Sequence, residues 1–184
     1  VTEDSESLKS RIGAHGLDLA VVFEQELAPG QPHMPLFRQR LFLVDRKKLP
    51  GHARSVPLQR VAALPLVLAG ASNVLRRVLD GAFAEAGLQP NVVVETNLLS
   101  SMLAAVHSGA GATVVPVGDF KALLGRGALV ATPIEPPLHL TACVVQDSDS
   151  APTRAAEAVR ALLASVSTQL LRDKPPVGME PVPG

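Results

Sequence analysis

Between Leu64 and Gly118, short apolar runs alternate with helical stripes, and this alternation limits what the chain can fold into. The runs, at residues 65–68, 92–94 and 112–116, are short and apolar, as strands covered on both faces are. Residues 74–86 and 99–106 instead repeat apolar side chains every three or four positions, which is typical of amphipathic helices. The order strand, helix, strand, helix, strand predicts an α/β fold with a parallel sheet.

Polar, helix-capping residues follow the first two predicted strands, namely Ser72-Asn73 and Thr96-Asn97. In open parallel sheets, ligands bind beyond the carboxyl ends of the strands, beside the helix N-termini. Such residues are ordinary helix caps, but backbone N–H groups at the same place can also hold a small anion. Both interpretations stay open. Ser72 has no nearby histidine or glutamate to activate it, which disfavours a nucleophile.

Composition excludes several classes of protein. Hydrophobic residues make up 47% of the 184 residues and charged residues 18%, which is not the balance of a disordered chain. Seventeen basic and seventeen acidic residues cancel, whereas a free-standing nucleic-acid binder usually carries a basic excess. No apolar run is long enough to cross a membrane. The five histidines are scattered and none lies at metal-ligand spacing from Cys143, so we expect no metal site and no cofactor.

Two glycine-rich or basic segments resemble binding motifs only superficially. Residues 109–112, Gly-Ala-Gly-Ala, follow a helix and precede a strand, whereas a phosphate-binding loop runs from strand to helix. This segment is therefore predicted to be a tight turn. The basic segment 46–52 is typical of a solvated loop, and phosphate or nucleic-acid binding is the minor alternative.

The remaining elements predict two lobes. Strands are expected around residues 17–23, 36–45 and 138–145, followed by a long helix. Residues 1–58 and 134–173 would form lobe I, residues 59–133 lobe II, and the chain would cross twice, near Leu58 and Ile134. This arrangement is a hinged clamshell with a cleft. The tail, residues 174–184, is rich in proline and glycine and is expected to be disordered.

The first residues indicate that this chain is a fragment of a longer protein. The chain begins Val1-Thr2-Glu3-Asp4, without an initiator methionine and without the basic and apolar leader of a secreted protein. We therefore expect that part of the protein lies outside this chain, and we expect a cytoplasmic protein.

Five segments, in this order and spacing, resemble the effector-binding domain of LysR-type transcriptional regulators: GLDLAVVF, PLFRQRLFLV, LPLVLAG, SNVLRRVLDGAFAEAG and SSMLAAVHSGAGATVVP. Each segment alone is weakly specific, and the ordered set is strongly specific. The resemblance extends to about Asp173, and it implies that lobe I lacks its first strand and first helix. The opening TEDSESLKSRIGAHGLDLAVV and the segment GATVVP are most similar to the nitrogen-assimilation-control subgroup.

The resemblance implies a periplasmic-binding-protein-like, two-lobed α/β domain with mostly parallel sheets and two crossover strands. It implies a regulatory domain without catalysis that binds a small, often anionic metabolite in the inter-lobe cleft and forms homodimers or tetramers. DNA would be bound only through an N-terminal winged helix-turn-helix outside this chain. A solute-binding protein of a transport system is the alternative, and a secretory leader upstream would favour it. An enzyme on this scaffold would need a titratable pair in the cleft, and the sequence shows none.

The family's cleft residues map onto the first helix, a strand end and the two capped helices. The ligand-binding residues that the resemblance implies are Ser5, Ser7, Phe23, Ser72, Asn73, Thr96 and Asn97. Hydroxyl and amide groups at helix N-termini can hydrogen-bond a carboxylate or oxyanion without a full opposing charge. If the domain needs no effector, the same residues are plain helix caps.

Overall fold

The computed structural model describes residues 8, 10–12, 14, 16–47, 49–51, 54–118, 129–146 and 151–183. The helices are α1 (Leu58–Ala62), α2 (Val74–Glu85), α3 (Leu99–Ser108) and α4 (Arg154–Asp173). The strands are β1 (Leu19–Phe23), β2 (Met34–Asp45), β3 (Val56–Pro57), β4 (Pro65–Leu68), β5 (Asn91–Glu95), β6 (Thr113–Pro116), β7 (Val130–Glu135), β8 (His139–Gln146) and β9 (Met179–Glu180). None of the helices described is long and apolar enough to cross a membrane.

The chain divides into two compact units. The first unit contains Val1–Gln39 and Leu140–Gly184, and the second unit contains Arg40–His139. The sequence placed these boundaries near residues 58 and 134, so the observed boundaries differ from the predicted ones. They fall within β2 and β8. A strand that continues through a boundary has no turn residues to mark it, which is why the sequence pattern gave no signal there.

The first unit is built on the pairing of β1 with β8. The two strands are antiparallel, with Leu19 opposite Gln146 and Phe23 opposite Ala142. One face of this pair carries Val22 and Cys143, which are buried together with Ile12 of the first helical segment. The alternation of buried and exposed residues along β1 follows the two-residue period of a strand.

The C-terminal tail is ordered in the structure, which corrects the predicted disorder of residues 174–184 for the part described. β9 pairs antiparallel with β2, with Arg38 opposite Glu180. Gln39 Nε2 donates a hydrogen bond of 3.0 Å to the Val177 carbonyl. Met179 is 7% exposed. Proline disfavours helix and central strands, but a two-residue edge strand between prolines needs few backbone donors.

The second unit holds the predicted β–α–β–α–β repeat. β4 and β5 are parallel, from Pro65 opposite Asn91 to Leu68 opposite Glu95, and a parallel bridge joins Leu66 to Ala112 before β6. β2 runs antiparallel to β6 and to β7. The sheets are therefore mixed, where mostly parallel sheets were expected, because β2 and β7 lie outside the repeat and enter the unit from the other direction.

Two helices of the second unit bury the stripes predicted for them. α2 buries Val74, Leu79 and Phe83, and α3 buries Met102 and Val106. α3 ends at Gly109, whose φ of 88° is left-handed and costs glycine little. The helices are thus fixed on the sheet, and their N-terminal ends follow the carboxyl ends of β4 and β5.

Candidate ligand-binding site

Asn73 begins α2. Its backbone is extended, and its side-chain oxygen accepts a hydrogen bond of 2.9 Å from the N–H of Leu75. Asparagine is among the best N-cap residues because this bond satisfies a donor that the helix itself cannot use. Ser72, beside it, is exposed. The prediction of a cap at this helix is confirmed, with Asn73 as the capping residue.

The loop after β5 bonds to the loop after β4. Gly70 N–H donates a hydrogen bond of 3.0 Å to the side-chain oxygen of Asn97, and Thr96 N–H donates one of 3.0 Å to the Leu68 carbonyl. Both contacts continue the parallel pairing of β4 and β5 past the ends of the strands. They hold the two polar loops side by side at one edge of the second unit.

Thr96 and Asn97 do not cap α3, contrary to the prediction. The N-cap position is Leu98, which makes no side-chain capping bond and is 66% exposed. Thr96 Oγ1 accepts a long bond of 3.4 Å from the Leu98 N–H. Because Asn97 bonds across to Gly70, its side chain is not available to the helix that follows it.

Arg76 lies beneath these loops in the first turn of α2 and joins three groups. Its Nη1 donates to Glu95 Oε1 at 2.6 Å and to the Ala69 carbonyl at 3.0 Å, and its Nε donates to both Asp80 oxygens at 2.9 Å. The pKa of Arg76 is raised by the bond to Glu95, against the opposing effect of burial, and by Asp80. The guanidinium is therefore engaged by carboxylates and holds the β4 loop to the end of β5.

The two arginines in the first turn of α2 have different partners. Arg76 pairs with both Asp80 and Glu95, whereas Arg77, which forms no ion pair among the described residues, donates a bond of 2.6 Å from its Nη1 to the Ser72 carbonyl. Both arginines thus brace the loops, and carboxylates neutralise the charge of Arg76 only.

The edge is rich in hydrogen-bond donors. The side-chain oxygens of Asn73 and Asn97 accept backbone N–H groups, so the Nδ2 groups are the donors that remain on these two side chains. Within the described residues neither Nδ2 group donates a hydrogen bond, and the hydroxyls of Ser72 and Thr96 also have no acceptor there. Four side chains at this edge therefore carry donor groups that have no acceptor among the described residues.

The structure brings together four of the seven predicted site residues, all on the two loops of the second unit: Ser72, Asn73, Thr96 and Asn97. Phe23 belongs to the first unit, where it ends β1 and is half-buried. Ser5 and Ser7 lie outside the described residues.

The sequence analysis did not predict that an ion pair of Arg76 with Glu95 joins the two loops. The i, i+4 spacing of Arg76 and Asp80 is a local signal for an ion pair, but nothing local connects Arg76 with Glu95, 19 positions further on. The contact exists only because β5 lies parallel to β4.

Groups suited to metal binding or nucleophilic chemistry are not assembled in the part of the chain that the structure describes. No cluster of three or more histidine, cysteine or acidic side chains could hold a metal ion there. Cys143 is buried in the first unit, and burial, with smaller contributions from the charges of Glu24 and Glu26, raises the pKa of its thiol to about 11. A thiol with such a pKa is a poor nucleophile near neutral pH.

Comparisons with known proteins agree with this architecture. The family model described as the LysR substrate binding domain matches residues 1–168. The nitrogen assimilation regulatory protein nac of Klebsiella aerogenes is 31% identical over 69% of this chain and 42% of that protein. Its counterpart from Escherichia coli K12 is 27% identical over 91% of this chain and 54% of that protein. The chain therefore spans about half the length of these relatives.

Solved structures show the same fold. The effector-binding domain of QuiR in complex with shikimate superposes with a TM-score of 0.75 at 19% identity, covering 91% of this chain and 79% of that one. The regulatory domain of CcmR from Synechocystis PCC6803, in complex with 2-PG, gives a TM-score of 0.76 at 15% identity, covering 91% and 81%. The predicted resemblance, including the likeness to nitrogen assimilation regulators, is confirmed by these matches.

Proposed function

Since this chain belongs to the LysR substrate binding domain family, we propose that it senses a small anionic effector and drives homo-oligomerisation of a DNA-binding transcriptional regulator. It is an effector-binding domain of the LysR type, and its relatives are named as transcriptional regulators. DNA is bound by a part of the protein outside this chain, in the cytoplasm. The domain itself carries out no reaction.

The donor-rich edge of the second unit supports the effector proposal. Hydroxyls of Ser72 and Thr96 and the amide groups of Asn73 and Asn97 converge on two loops that are joined to each other. Donors fixed on a rigid frame recognise carboxylate or phosphate oxygens without the cost of burying an unpaired cation. The structural relatives were solved with shikimate and with 2-PG, and a compact oxygen-rich acid is the ligand we propose here.

A thermal-shift screen tests this site. The 184-residue chain is heated with a panel of small organic acids that includes shikimate and benzoate, and a stabilising compound is sought. We expect Ser72→Ala combined with Thr96→Val to abolish the shift. Ser101→Ala is the matched control, because Ser101 is exposed on the outer side of α3. An unchanged shift in the double variant would remove the two hydroxyls from the site.

An exposed apolar stripe on α4 supports the oligomer. The helix buries only Ala156 and Ser167 of its 20 residues. Four large apolar side chains on one face remain open to solvent at these exposed fractions: Val159 49%, Leu162 61%, Val166 43% and Leu170 42%. Contiguous exposed apolar surface of this kind marks a protein interface, and we assign it to a second copy of this chain.

Light scattering coupled to size exclusion measures this interaction. Leu162→Glu places a charge in the stripe and is expected to shift the chain to monomer. Ala161→Glu is the control, since Ala161 is exposed on the opposite side of the same helix. An oligomer that survives Leu162→Glu would contradict the assignment.

The coding sequence upstream of Val1 tests the DNA-binding proposal. A helix-turn-helix encoded upstream of Val1 supports a regulator. A secretory leader in that place would instead support a solute-binding protein of the same fold.

A further inference from the structure

A second cavity lies in the second unit, apart from the two polar loops. It has a volume of about 370 Å³, within the range of small-molecule sites. Its walls mix three charged and several small or apolar residues, among them Asp45, Arg46, Lys47, Leu64, Pro65 and Ala112. It opens where β2 ends, β4 begins and α3 is followed by β6. The polar loops lie at the other ends of β4 and α3.

The floor of this cavity is rigid. Ala112 N–H donates a hydrogen bond of 2.9 Å to the Pro65 carbonyl, and Val67 N–H donates one of 2.8 Å to the Ala112 carbonyl. A Cβ at Gly111 would lie 2.4 Å from the Pro65 carbonyl oxygen, so only glycine permits this approach of the two backbones. The apolar wall is therefore preformed and does not need to rearrange for a ligand.

Arg46 is positioned at the edge of the cavity by the turn that ends α3. Its Nη1 lies 2.8 Å from the place that a Cβ of Gly109 would occupy, so the glycine gives the guanidinium room to lie against the helix end. The carbonyl end of a helix is electronegative and favours a cation there. The guanidinium thus lies beside the carbonyl end of α3, without a carboxylate partner among the described residues.

The charges around the cavity favour a monoanion. Arg46 and Lys47 are exposed, and in the part of the chain described here neither forms an ion pair. The Asp45 carboxylate accepts a hydrogen bond of 2.6 Å from the Arg46 backbone N–H, which turns one of its oxygens to the main chain. Two cations against one engaged carboxylate leave one positive charge next to an apolar wall.

We propose that this cavity binds a small monocarboxylic acid with a compact apolar body. The carboxylate lies between Arg46 and Lys47, where the planar guanidinium can donate two parallel hydrogen bonds. The hydrocarbon part lies on Leu64, Pro65 and Ala112. Inorganic phosphate would satisfy the cations but would leave the apolar wall uncovered, so it binds more weakly than an acid with a hydrocarbon body. The site is independent of the effector loops.

Titration of the isotope-labelled 184-residue chain with sodium phenylacetate, followed by amide NMR, tests the proposal. We expect saturable shifts at Gly109, Gly111 and Ala112. The neutral analogue phenylacetamide has nearly the same shape without the charge and is expected to bind at least tenfold more weakly. Arg46→Gln combined with Lys47→Gln is expected to weaken phenylacetate at least tenfold, and Arg154→Gln combined with Arg160→Gln is the charge-matched control.

Each outcome decides the proposal. Equal binding of acid and amide, or unchanged binding to the double variant, would overturn it. Shifts confined to residues 69–73 and 95–98 would also overturn it, and would support the effector site instead. If the double variant does not fold, Lys47→Gln alone is used, because this side chain is exposed, and unchanged phenylacetate binding to that variant would overturn the proposal.

Discussion

The side-chain oxygen of Asn97 accepts a hydrogen bond of 3.0 Å from the backbone N–H of Gly70, 27 positions earlier in the chain. The contact joins the loops that follow two adjacent parallel strands. Asn97 is exposed, and sequence patterns assign an asparagine at such a position to a helix cap. The geometry of the donor-rich edge depends on this bond, because it fixes the spacing between the loop that carries Ser72 and the loop that carries Thr96.

Replacing Asn97 with alanine removes the acceptor for the Gly70 N–H. A net loss of about 1 kcal/mol in the free energy of unfolding is expected, since water can reach the freed group only in part. Hydrogen exchange should locate the effect, with faster exchange at Gly70 and little change at Leu79. Gln89→Ala, at an exposed turn position, is the control. Unaltered protection of Gly70 would show that the bond contributes nothing.

Asn73→Ala should lower the free energy of unfolding by about 1 kcal/mol, within the range of roughly 0.5–2 kcal/mol for lost N-caps. Ser72→Ala changes the neighbouring exposed residue and should cost less than about 0.5 kcal/mol. Urea denaturation of both variants measures the difference. Equal costs would contradict the assignment of Asn73 as the cap.

Arg76 and Glu95 should be energetically coupled. A double-mutant cycle with Arg76→Met and Glu95→Gln is expected to give about 0.5–1 kcal/mol, because the Arg76 side chain is 13% exposed while that of Glu95 is 53% exposed. The coupling should decrease between 0.1 and 1 M KCl. The control cycle of Arg77→Met with Glu85→Gln joins residues that form no ion pair with each other and should give a value near zero. Comparable values in the two cycles would contradict the prediction.

Because of Cys143, the stability of the first unit is expected to decrease at alkaline pH. Burial, followed by the charges of Glu24 and Glu26, raises the pKa of the folded thiol from 9.0 to about 11. Between pH 9 and pH 11 the thiol of the unfolded chain loses its proton while the folded thiol keeps it. The stabilisation of the folded state by Cys143 is therefore complete below pH 9 and is lost as the pH rises toward 11.

Comparison with Cys143→Ala isolates this effect from other alkaline titrations. The stability difference between wild type and Cys143→Ala should fall by about 1–2 kcal/mol from pH 8 to pH 10.5. Chemical denaturation at the two pH values measures it. A difference that is the same at both pH values would mean that the thiol does not remain protonated in the folded state.

The C-terminal strand should contribute to stability. Met179→Ala leaves a gap beside β2 and is expected to cost about 2 kcal/mol, at the low end of the range for buried methionines. Val182→Ala, just past β9 and half-exposed, serves as the control and should cost much less. If Met179→Ala were neutral, the pairing of β9 with β2 would not persist in solution.

The sequence predicted elements best where the signal was local and periodic. α2 and α3 bury the stripes read from their spacing, and the runs in β4 and β5 form parallel strands. Asn73 is a cap because capping depends on its immediate neighbours. Asn97 has the same side chain but bonds to Gly70, and no pattern of neighbours distinguishes these two cases.

Features that depend on distant partners were missed. The long helix after β8 was predicted, but its apolar residues Leu162 and Val159 are open to solvent, because periodicity shows which residues share a face and not what covers it. The tail was expected to be disordered on composition alone, whereas Met179 finds a partner in Gln39, 140 positions earlier. The link between Arg76 and Glu95 likewise needs the sheet register.

The division of the first unit between the two ends of the chain has a consequence for synthesis. β1 pairs with β8, and the whole second unit, Arg40–His139, is translated between them. At about 5–20 residues per second, those intervening residues take several seconds to emerge. The second unit contains its own strand partners and can fold on the ribosome during that time. The pairing of β1 with β8 can form only after that, so the first unit is completed later than the second.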